Sequence, residues 1–419
     1  MQKRPIIDQR IPEIDRSSGF ETAPKLRPNP DWAKLPLFDR SKWQRVRFGD
    51  VVENLNETER DPKAAGIERF IGLEHLEPGS LHIRAWGNVA DGTTFTRRCR
   101  SGQVLFGKRR AYQRKVAVAE FDAVVSGDIY VMAPKNDRLL PELLPFLCLS
   151  ERFFQFAVET SAGSLSPRTN WSHLAQFEFA LPPLDQQRRI AEILWAVDEA
   201  VQLSIKHRAA IDACYSAAVQ SLLFDKSNPA VRVVDLCEVN ASALSETRTD
   251  RGFRFKYIDI SSIVAPKTIG PLQTHEFATA PSRARRRVKE GDILISTVRP
   301  NLKAFARLGR FDCEHVASTG FAVITPKIEV IGNLFFHAFF SPQYMAHCKT
   351  RVTGTSYPAM NAKDVGDFLI HLPKGEVELE KAQFFLNELE SASMSITEHI
   401  TKGSKLLNQF VESITTEES

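Results

Sequence analysis

The chain has 419 residues, a hydrophobic content of 43%, a charged content of 25% and a formal net charge of +4. This length exceeds what one ordinary core holds, so we expect two domains. The composition excludes a wholly disordered chain, because enough apolar surface can be buried to offset chain entropy. The small net charge does not by itself identify a nucleic-acid binder.

The cysteines and the apolar runs indicate the compartment. Six cysteines lie far apart, with no Cys-x-x-Cys pair and no histidine at ligand spacing, which fits a reducing cytoplasm and argues against structural zinc. The start, MQKRPIIDQR, lacks an apolar signal region, and the most apolar later run, LLPELLPFLCL, is interrupted by Pro141 and Pro145. We therefore expect a cytoplasmic protein without membrane spans.

In chain order, residues 1–40 are polar and proline-containing and show few strand signals. We interpret them as an N-terminal arm, which either packs near the last helix or contacts a partner. Strands are predicted beyond it at VAVAEF, DIYVMA, ILIST and FAVITP, which are rich in β-branched or aromatic residues. Helices are predicted at LLPFLCLSERFFQFAVET and NLFFHAFFSPQYMAHCKT, whose aromatic residues are interpreted as core and not as a base-stacking surface.

The chain contains an internal duplication. VRFGDVV aligns with VRVVDLC, SGQVLF with EGDILI, and VVSGDIYVMAP with VASTGFAVITP. GSLSPRTNWSHLAQFEFALP, residues 163–182, aligns without gaps with GTSYPAMNAKDVGDFLIHLP, residues 354–373. The aligned pairs are Asp50 and Asp235, Gly102 and Gly291, Gly163 and Gly354, Pro167 and Pro358, Asn170 and Asn361, and Phe177 and Phe368. Ordered, collinear matches of this kind favour two copies of one domain.

Basic clusters fall at corresponding places in the two copies. Arg97–Lys115 contains eight basic residues and no acidic one, and Arg283–Arg310 contains nine basic and two acidic residues. Cations held between apolar strands can displace counterions from a phosphate backbone, although a solvated face that binds nothing is the simple alternative. The predicted DNA-facing residues are Arg97, Arg98, Arg100, Lys108, Arg109, Arg110, Arg114 and Lys115 in the first copy, and Arg283, Arg285, Arg286, Arg287, Arg299, Lys303 and Arg307 in the second.

A polar loop precedes the end of each copy. It carries Ser164, Ser166 and Arg168 in the first copy and Thr355, Ser356 and Tyr357 in the second. These loops are either plain turns into a strand or a source of hydroxyl, guanidinium and backbone donors to base edges and phosphates.

Each copy is followed by a long helix with a narrow apolar seam. Seven of nine positions stepping by three and four are apolar in each series, which runs from Leu194 to Leu222 in the first helix and from Leu386 to Ile414 in the second. Such a seam suits helix pairing better than packing on a broad sheet. We therefore predict an α+β fold, with two tandem mixed α/β domains separated and followed by long helices that pair as an antiparallel coiled coil.

The junction LPPLDQQRRIAEIL, together with the duplication, resembles the specificity subunits of type I restriction-modification systems. The second junction, LPKGEVELEKAQFF, lacks the second proline and the Gln-Gln-Arg run. The resemblance implies a first target recognition domain at 41–182, a central helix at 183–226, a second recognition domain at 227–373 and a distal helix at 374–419. It also implies that each domain reads one half of a bipartite, asymmetric site in double-stranded DNA.

The resemblance further implies partner proteins that carry the chemistry. Two methyltransferase subunits would dock on the helices, and we assign Gln186, Gln187, Arg188 and Arg189 to this docking. S-adenosylmethionine and ATP would belong to the methyltransferase and restriction/translocase subunits, with no cofactor, metal or catalytic residue in this chain. The sequence lacks a phosphate-binding loop with Lys-Ser/Thr, an H-E-x-x-H pair and an Asn/Asp-Pro-Pro-aromatic motif. The alternatives are a duplicated coiled-coil adaptor for proteins or RNA, and a self-sufficient DNA-modifying enzyme.

Overall fold

The computed structural model describes residues 39–163, 165–265, 267–354 and 358–415. They form two compact units, one comprising the described residues up to Leu203 and from Ile400 onward, and the other comprising Ser204–His399. The predicted arm up to residue 38 and the predicted DNA-contacting Ser164, Ser356 and Tyr357 lie outside the described residues. No helix in these four segments combines the length and apolar character required to cross a membrane.

The first unit contains twelve short strands and four short helices before the first long helix. The strands are β1 Gln44–Arg47, β2 Val52–Leu55, β3 Arg69–Ile71, β4 Gly87–Asn88, β5 Arg97–Cys99, β6 Val104–Gly107, β7 Val116–Val118, β8 Ala123–Val125, β9 Ile129–Pro134, β10 Ser161–Ala162, β11 Arg168–Thr169 and β12 Glu178–Leu181. The short helices are α1 Phe48–Val51, α2 Leu144–Leu149, α3 Glu151–Glu159 and α4 Trp171–Leu174. The long α5, Leu184–Leu223, begins in this unit, and its residues from Ser204 onward belong to the second unit.

The second unit repeats this plan. Its strands are β13 Ala230–Arg232, β14 Cys237–Val239, β15 Arg254–Ile258, β16 Ile263–Ala265, β17 Thr268–Ile269, β18 Gln273–Glu276, β19 Ala284–Arg287, β20 Ile293–Ser296, β21 Phe305–Arg307, β22 His315–Ser318, β23 Phe321–Pro326 and β24 Leu369–His371. Its short helices are α6 Val233–Leu236, α7 Glu329–Phe339, α8 Pro342–Lys349 and α9 Ala362–Gly366. The long α10, Glu376–Thr415, begins in this unit, and its residues from Ile400 onward belong to the first unit.

Each unit has two four-stranded sheets of matching topology. The orders are β2-β9-β6-β7 and β4-β3-β8-β5 in the first unit, and β14-β23-β20-β21 and β18-β15-β22-β19 in the second. The first sheet of each unit is antiparallel throughout, whereas the second contains one parallel pair, β3 with β8 or β15 with β22. The predicted duplication is therefore visible in the strand pairing.

The aligned residues of the two copies also have equivalent structural roles. The Asp50 and Asp235 carboxylates accept hydrogen bonds from the amides of Arg47 and Arg232, at 3.3 and 2.9 Å, where α1 and α6 begin. These bonds satisfy one of the backbone donors left open at a helix start. Three other aligned pairs also share their conformation or burial. Gly102 and Gly291 have positive φ, as do Gly163 and Gly354, and Phe177 and Phe368 are both buried.

Alternating residues of the central strands face two different cores. In β6, Val104 and Phe106 pack with α2, α3 and α5, while Leu105 packs in the cluster between the two sheets. In β20, Ile293 and Ile295 likewise face the helices, and the residue between them faces the other sheet. This division follows from the two-residue period of a strand, and it explains why these strands are apolar at every position.

Each predicted aromatic helix is two helices in the structure. The first breaks at Ser150, between α2 and α3, and the second at Ser341, between α7 and α8. The hydroxyl oxygens of Ser150 and Ser341 accept hydrogen bonds from the backbone amides three residues later, at 3.3 and 3.1 Å. Each serine therefore starts a new helix within a continuous apolar pattern. The aromatic residues are core, as predicted: Phe153, Phe154, Phe335 and Phe339 are buried.

The two long helices pair within each unit. In the first unit, Leu194 of α5 and Leu407, Val411 and Ile414 of α10 belong to one buried cluster. In the second unit, Val219 and Leu223 of α5 join Ala382 and Leu386 of α10. The N-terminal part of one helix thus lies along the C-terminal part of the other in both units, which is the predicted antiparallel arrangement. Of the predicted seam positions, Arg208 is exposed.

Candidate nucleic-acid interface

In the first unit, two cations flank a single turn of 3₁₀ helix that follows β6. Arg110 and Arg114 have φ of 55° and 54°, on either side of Ala111–Gln113. The amide of Arg110 donates to the carbonyl oxygen of Pro167 at 2.7 Å. Left-handed backbone is uncommon in residues other than glycine, and it persists where the surroundings enforce it. The Pro167 loop is part of those surroundings.

The second unit has the same feature at the equivalent place. Arg299 and Lys303 have φ of 48° and 52° and flank Pro300–Leu302. The amide of Arg299 donates to the carbonyl oxygen of Pro358 at 2.8 Å. Across the described residues, six residues other than glycine have positive φ, and four of them are these cations. The two units therefore share a constrained, basic turn that is held by a proline loop.

Further cations surround Asp128 in the first unit. The carboxylate of Asp128 accepts from Nη1 of Arg109 at 3.3 Å and from Nε of Arg168 at 2.9 Å. Nη2 of Arg109 donates to the hydroxyl of Ser166 at 3.1 Å. Burial alone would raise the pKa of Asp128, but the hydrogen bonds and charges of Arg168 and Arg109 lower it overall. Asp128 is thus an ionised anchor for two arginines.

Lys108 and Arg97 add positive charge to this cluster. The Lys108 ammonium lies 5.1 Å from the ring centroid of Tyr130, and its pKa is lowered by burial and by the charges of Arg97 and Arg168, against a smaller opposing effect of Asp128. Nη1 of Arg97 donates to the carbonyl oxygen of Ile129 at 3.1 Å. Four cations around one carboxylate leave an excess of positive charge on rigid strands and turns. Such a surface suits a polyanion.

Four of the other cations predicted in the first cluster have partners among the described residues of the unit, and Arg110 does not. Arg114 pairs with Glu151, Arg98 with Asp122 at 2.9 Å, Arg100 with Glu57 at 3.0 Å, and Lys115 donates to the carbonyl of Leu73 at 2.6 Å. Arg110 is exposed, and its guanidinium has no partner in the described part of the chain. Exposed ion pairs contribute only about 0–1 kcal/mol, so the paired arginines remain able to exchange partners.

The second cluster also contains both cations with internal partners and exposed cations. Arg285 pairs with Glu246 at 3.0 Å, Arg287 with Glu314 at 3.9 Å, Arg307 with Glu329 at 2.9 Å, and Lys303 donates to the carbonyl of Phe340 at 3.1 Å. Arg283 and Arg299 are exposed. Arg286 is half-buried on β19, and its Nε has no hydrogen-bond partner among the described residues.

The junction residues proposed for partner docking have different environments. Gln187 is 1% exposed. Its amide nitrogen donates to the carbonyls of Arg138 and Pro182 at 2.7 and 2.8 Å, and its oxygen accepts from the amide of Leu140 at 2.9 Å. The Gln187 side chain is therefore not available to a partner, and we correct its assignment to a structural one.

Gln186 also makes internal bonds. It accepts from Nε1 of Trp43 at 2.7 Å and donates to the carbonyl of Asp39 at 3.0 Å. Arg188 is exposed, and Arg189 is half-buried. Arg188 is thus the residue of this group that is most open to a partner.

One group of possible metal ligands occurs within the described segments, although we expected no histidine at ligand spacing from a cysteine. The ligand atoms of Asp312, Cys313 and His315 lie within 4.8 Å of one another. Nδ1 of His315 lies 2.7 Å from the carbonyl oxygen of Cys313, and the imidazole stacks on Phe311 with a centroid distance of 3.8 Å. Burial and Asp312 raise the pKa of the Cys313 thiol. These contacts account for the group without an ion, and we assign no metal to it.

Sequence reasoning missed Asp128 as an organiser of the basic surface. Asp128 precedes β9, and Arg168 lies 40 residues further along the chain. The alignment of the two copies contained a signal for this role of Asp128, because the aligned residue of the second copy is Gly320 and not an acid. A charge that occurs in only one of two aligned copies indicates a feature specific to that copy.

The first half of the chain is similar to a known protein family. Residues 40–213 match the family described as the type I restriction modification DNA specificity domain. The type I restriction enzyme EcoDI specificity subunit of Escherichia coli is 27% identical over 182 residues, covering 41% of this chain and 38% of that protein. The chain therefore spans well under half of the length of this curated relative.

Two solved structures share the fold across nearly the whole chain. The type I restriction-modification system S subunit from M. genitalium superposes with a TM-score of 0.57 at 12% identity, covering 92% of this chain and 99% of that one. A chain from a study of complex assembly and conformational transition of the type I R-M system has a TM-score of 0.51 at 17% identity, with coverage of 90% and 98%. These likenesses show that the α+β fold with long helices is common to all three.

Proposed function

We propose that this chain, a member of the family of type I restriction-modification specificity subunits, is the non-catalytic subunit that selects the DNA sequence. Residues 41–182 and 227–373 are the two target recognition domains, each reading one half of a bipartite, asymmetric site. The helices, at 183–226 and 374–419, set the length of the spacer between the halves.

The observation that carries this proposal is the repeated basic turn. Both units place a pair of cations, Arg110 with Arg114 or Arg299 with Lys303, at left-handed positions, and a proline loop accepts a hydrogen bond from the amide of the first cation of each pair. Contacts to phosphates fix the register of a protein on a duplex, and they need cations whose positions are defined before binding. A turn that recurs in both units supplies such contacts for both half-sites.

Partner subunits supply the chemistry in this proposal. Two methyltransferase subunits dock on the long helices and bind S-adenosylmethionine, and restriction/translocase subunits use ATP, all in the cytoplasm. Exposed apolar side chains on α10 support docking there: the neighbouring Phe384 and Phe385 are 67% and 51% exposed. Large apolar side chains that are exposed close together on one helix are typical of surfaces that another protein covers.

Mapping of methylated adenines tests the proposal directly. The full chain is expressed together with the methyltransferase subunits encoded beside it, in a host without such a system, and methylated adenines are mapped across the host genome. We expect a split motif with a fixed spacer. Methylation without any sequence preference, or methylation that is unchanged when this chain is omitted, would refute the proposed function.

A further inference from the structure

We propose that Arg168, aligned by Asp128, reads a guanine base in the first half-site. This inference rests on the proposed function and assigns one base-reading residue within it. Guanine presents two acceptors, O6 and N7, in the major groove, and an arginine that offers two parallel N–H donors is the side chain that matches them best.

The backbone on both sides of Arg168 is fixed. On one side, the carbonyl oxygen of Pro167 accepts from the amide of Arg110 at 2.7 Å. On the other, Thr169 is fully buried, its amide donates to the carbonyl of Lys108 at 3.0 Å, and its own carbonyl accepts from the Tyr130 hydroxyl at 3.0 Å. The Cα of Arg168 is therefore placed before DNA binds, which lowers the entropic cost of a base contact.

The side chain of Arg168 is oriented but still available. Its Nε donates to Asp128 at 2.9 Å, and the side chain is 51% exposed. Its two Nη nitrogens make no hydrogen bond within the described residues. Arg109, the second arginine on Asp128, has Nη1 on that carboxylate and Nη2 on Ser166. Of the two arginines, only Arg168 presents a free pair of terminal donors.

The carboxylate of Asp128 favours a base over a phosphate as the ligand of Arg168. An ionised acid that accepts from Nε offsets part of the positive charge of the guanidinium, which weakens the attraction for a phosphate more than the hydrogen bonds to the neutral O6 and N7 of guanine. Arg110, which is exposed and has no carboxylate partner in the described part of the chain, is better suited to a phosphate. The unit thus separates a base-reading arginine from a phosphate-binding one.

The second unit lacks this arrangement on the same backbone. The isolated bridge between Arg109 and Arg168 recurs as a bridge between Val298 and Ala359, so these residues occupy equivalent places. Asp128 likewise corresponds to Gly320, and the two residues directly precede the aligned strands β9 and β23. The second unit therefore has neither the carboxylate nor the arginines, and we expect it to read its half-site with other groups. Different side chains on one framework are what an asymmetric site requires.

Selection from a random duplex library tests the inference. The complex of the full chain with its methyltransferase subunits captures duplexes, which are sequenced for the unchanged chain and for Arg168→Ala, Arg168→Lys and Asp128→Asn. Arg47→Ala is the matched control, because Arg47 also donates through Nε to a carboxylate, Glu178 at 3.4 Å, and is 58% exposed. Affinity is then measured at several salt concentrations on the selected site and on sites with one altered base.

We expect Arg168→Ala and Arg168→Lys to lose about 5-fold to about 150-fold discrimination at one guanine of one half-site, the range of a bidentate base contact. The other positions should keep their preference, and Asp128→Asn should lose part of it at the same guanine. Arg47→Ala should select the unchanged motif. Lysine keeps the charge but not the paired donors, so Arg168→Lys separates base reading from simple attraction.

Three results would overturn the inference. The first is an unchanged motif with Arg168→Ala, and the second is a loss of discrimination at a base other than guanine. The third is an equal loss of affinity for all sequences with a salt slope reduced by about one, because this combination indicates a phosphate contact. If the unchanged chain itself selects no split motif, the proposed function fails instead. Thermal unfolding of each variant shows whether the fold is retained.

Discussion

His82 links the strands of the first unit to the long helix α5 through a buried charge pair, and its protonation should control the stability of that unit. Its Nε2 lies 2.6 Å from the carboxylate of Asp198, which is 4% exposed, and its Nδ1 lies 3.1 Å from Glu120. Burial by itself lowers the pKa of His82, but the hydrogen bonds and charges of the two acids outweigh it and raise the pKa to about 9.

The magnitude follows from the size of this rise. The ordinary pKa of the histidine is 6.5, and a difference of one in pKa corresponds to about 1.4 kcal/mol, so the charged interaction amounts to on the order of 3 kcal/mol. Because the His82 side chain remains 28% exposed, water screens part of it, and we expect about 2 kcal/mol. Since the folded-state pKa is raised, this stability is present in full below pH 6.5 and is lost as the pH rises through about 9.

The assay compares the free energy of unfolding of the unchanged chain and His82→Gln in urea between pH 6 and pH 10. The difference should be about 2 kcal/mol at the acidic end and should shrink towards zero at the basic end. His207→Gln, which alters an exposed histidine on the same helix, should follow the unchanged chain. A difference that stays constant across this pH range would refute the reasoning, because it would show that the histidine acts through packing alone.

Three further predictions concern the helices and the basic turn. A Cβ at Gly403 would lie 2.6 Å from Cγ2 of Val201, so Gly403→Leu should cost about 1–3 kcal/mol in urea unfolding, and Val201→Ala should restore much of it. Gln187→Ala should cost about 1–3 kcal/mol by leaving buried backbone groups unpaired, whereas Arg188→Ala should change stability little. Arg110→Asn, which tolerates positive φ, should weaken binding equally for all DNA sequences and reduce the salt slope by about one.

The duplication could be predicted because several of the matching residues are required by the local backbone conformation. Gly163 and Gly354 have φ of 108° and 88°, which favours glycine. Asn170 and Asn361 stand directly before α4 and α9. Because both copies have these conformations at equivalent positions, the same residue types occur at the same spacing in both. The seam of the long helices was readable for the same reason, since its period depends on helix geometry alone.

The helix breaks and the charge pairing were not readable in this way. At Ser150 the apolar pattern continues across the break, and the serine could equally have been an ordinary surface residue of one helix. Asp128 and Arg168 are brought together by the pairing of β9 and β11 with their neighbouring strands, so no local sequence pattern predicts their contact. The sequence therefore indicated where basic residues cluster, but not which of them are already engaged with acids.

The core of the first unit is completed by residues from the far end of the chain. Leu407, Val411 and Ile414 are buried in the same cluster as Val46 and Phe48. During translation, that core cannot close until the last helix has left the ribosome, although domains usually fold in order from the N-terminus. Nascent chains should therefore expose an unfinished apolar face for most of their synthesis, and a premature stop near residue 400 should send the product to chaperones and proteases.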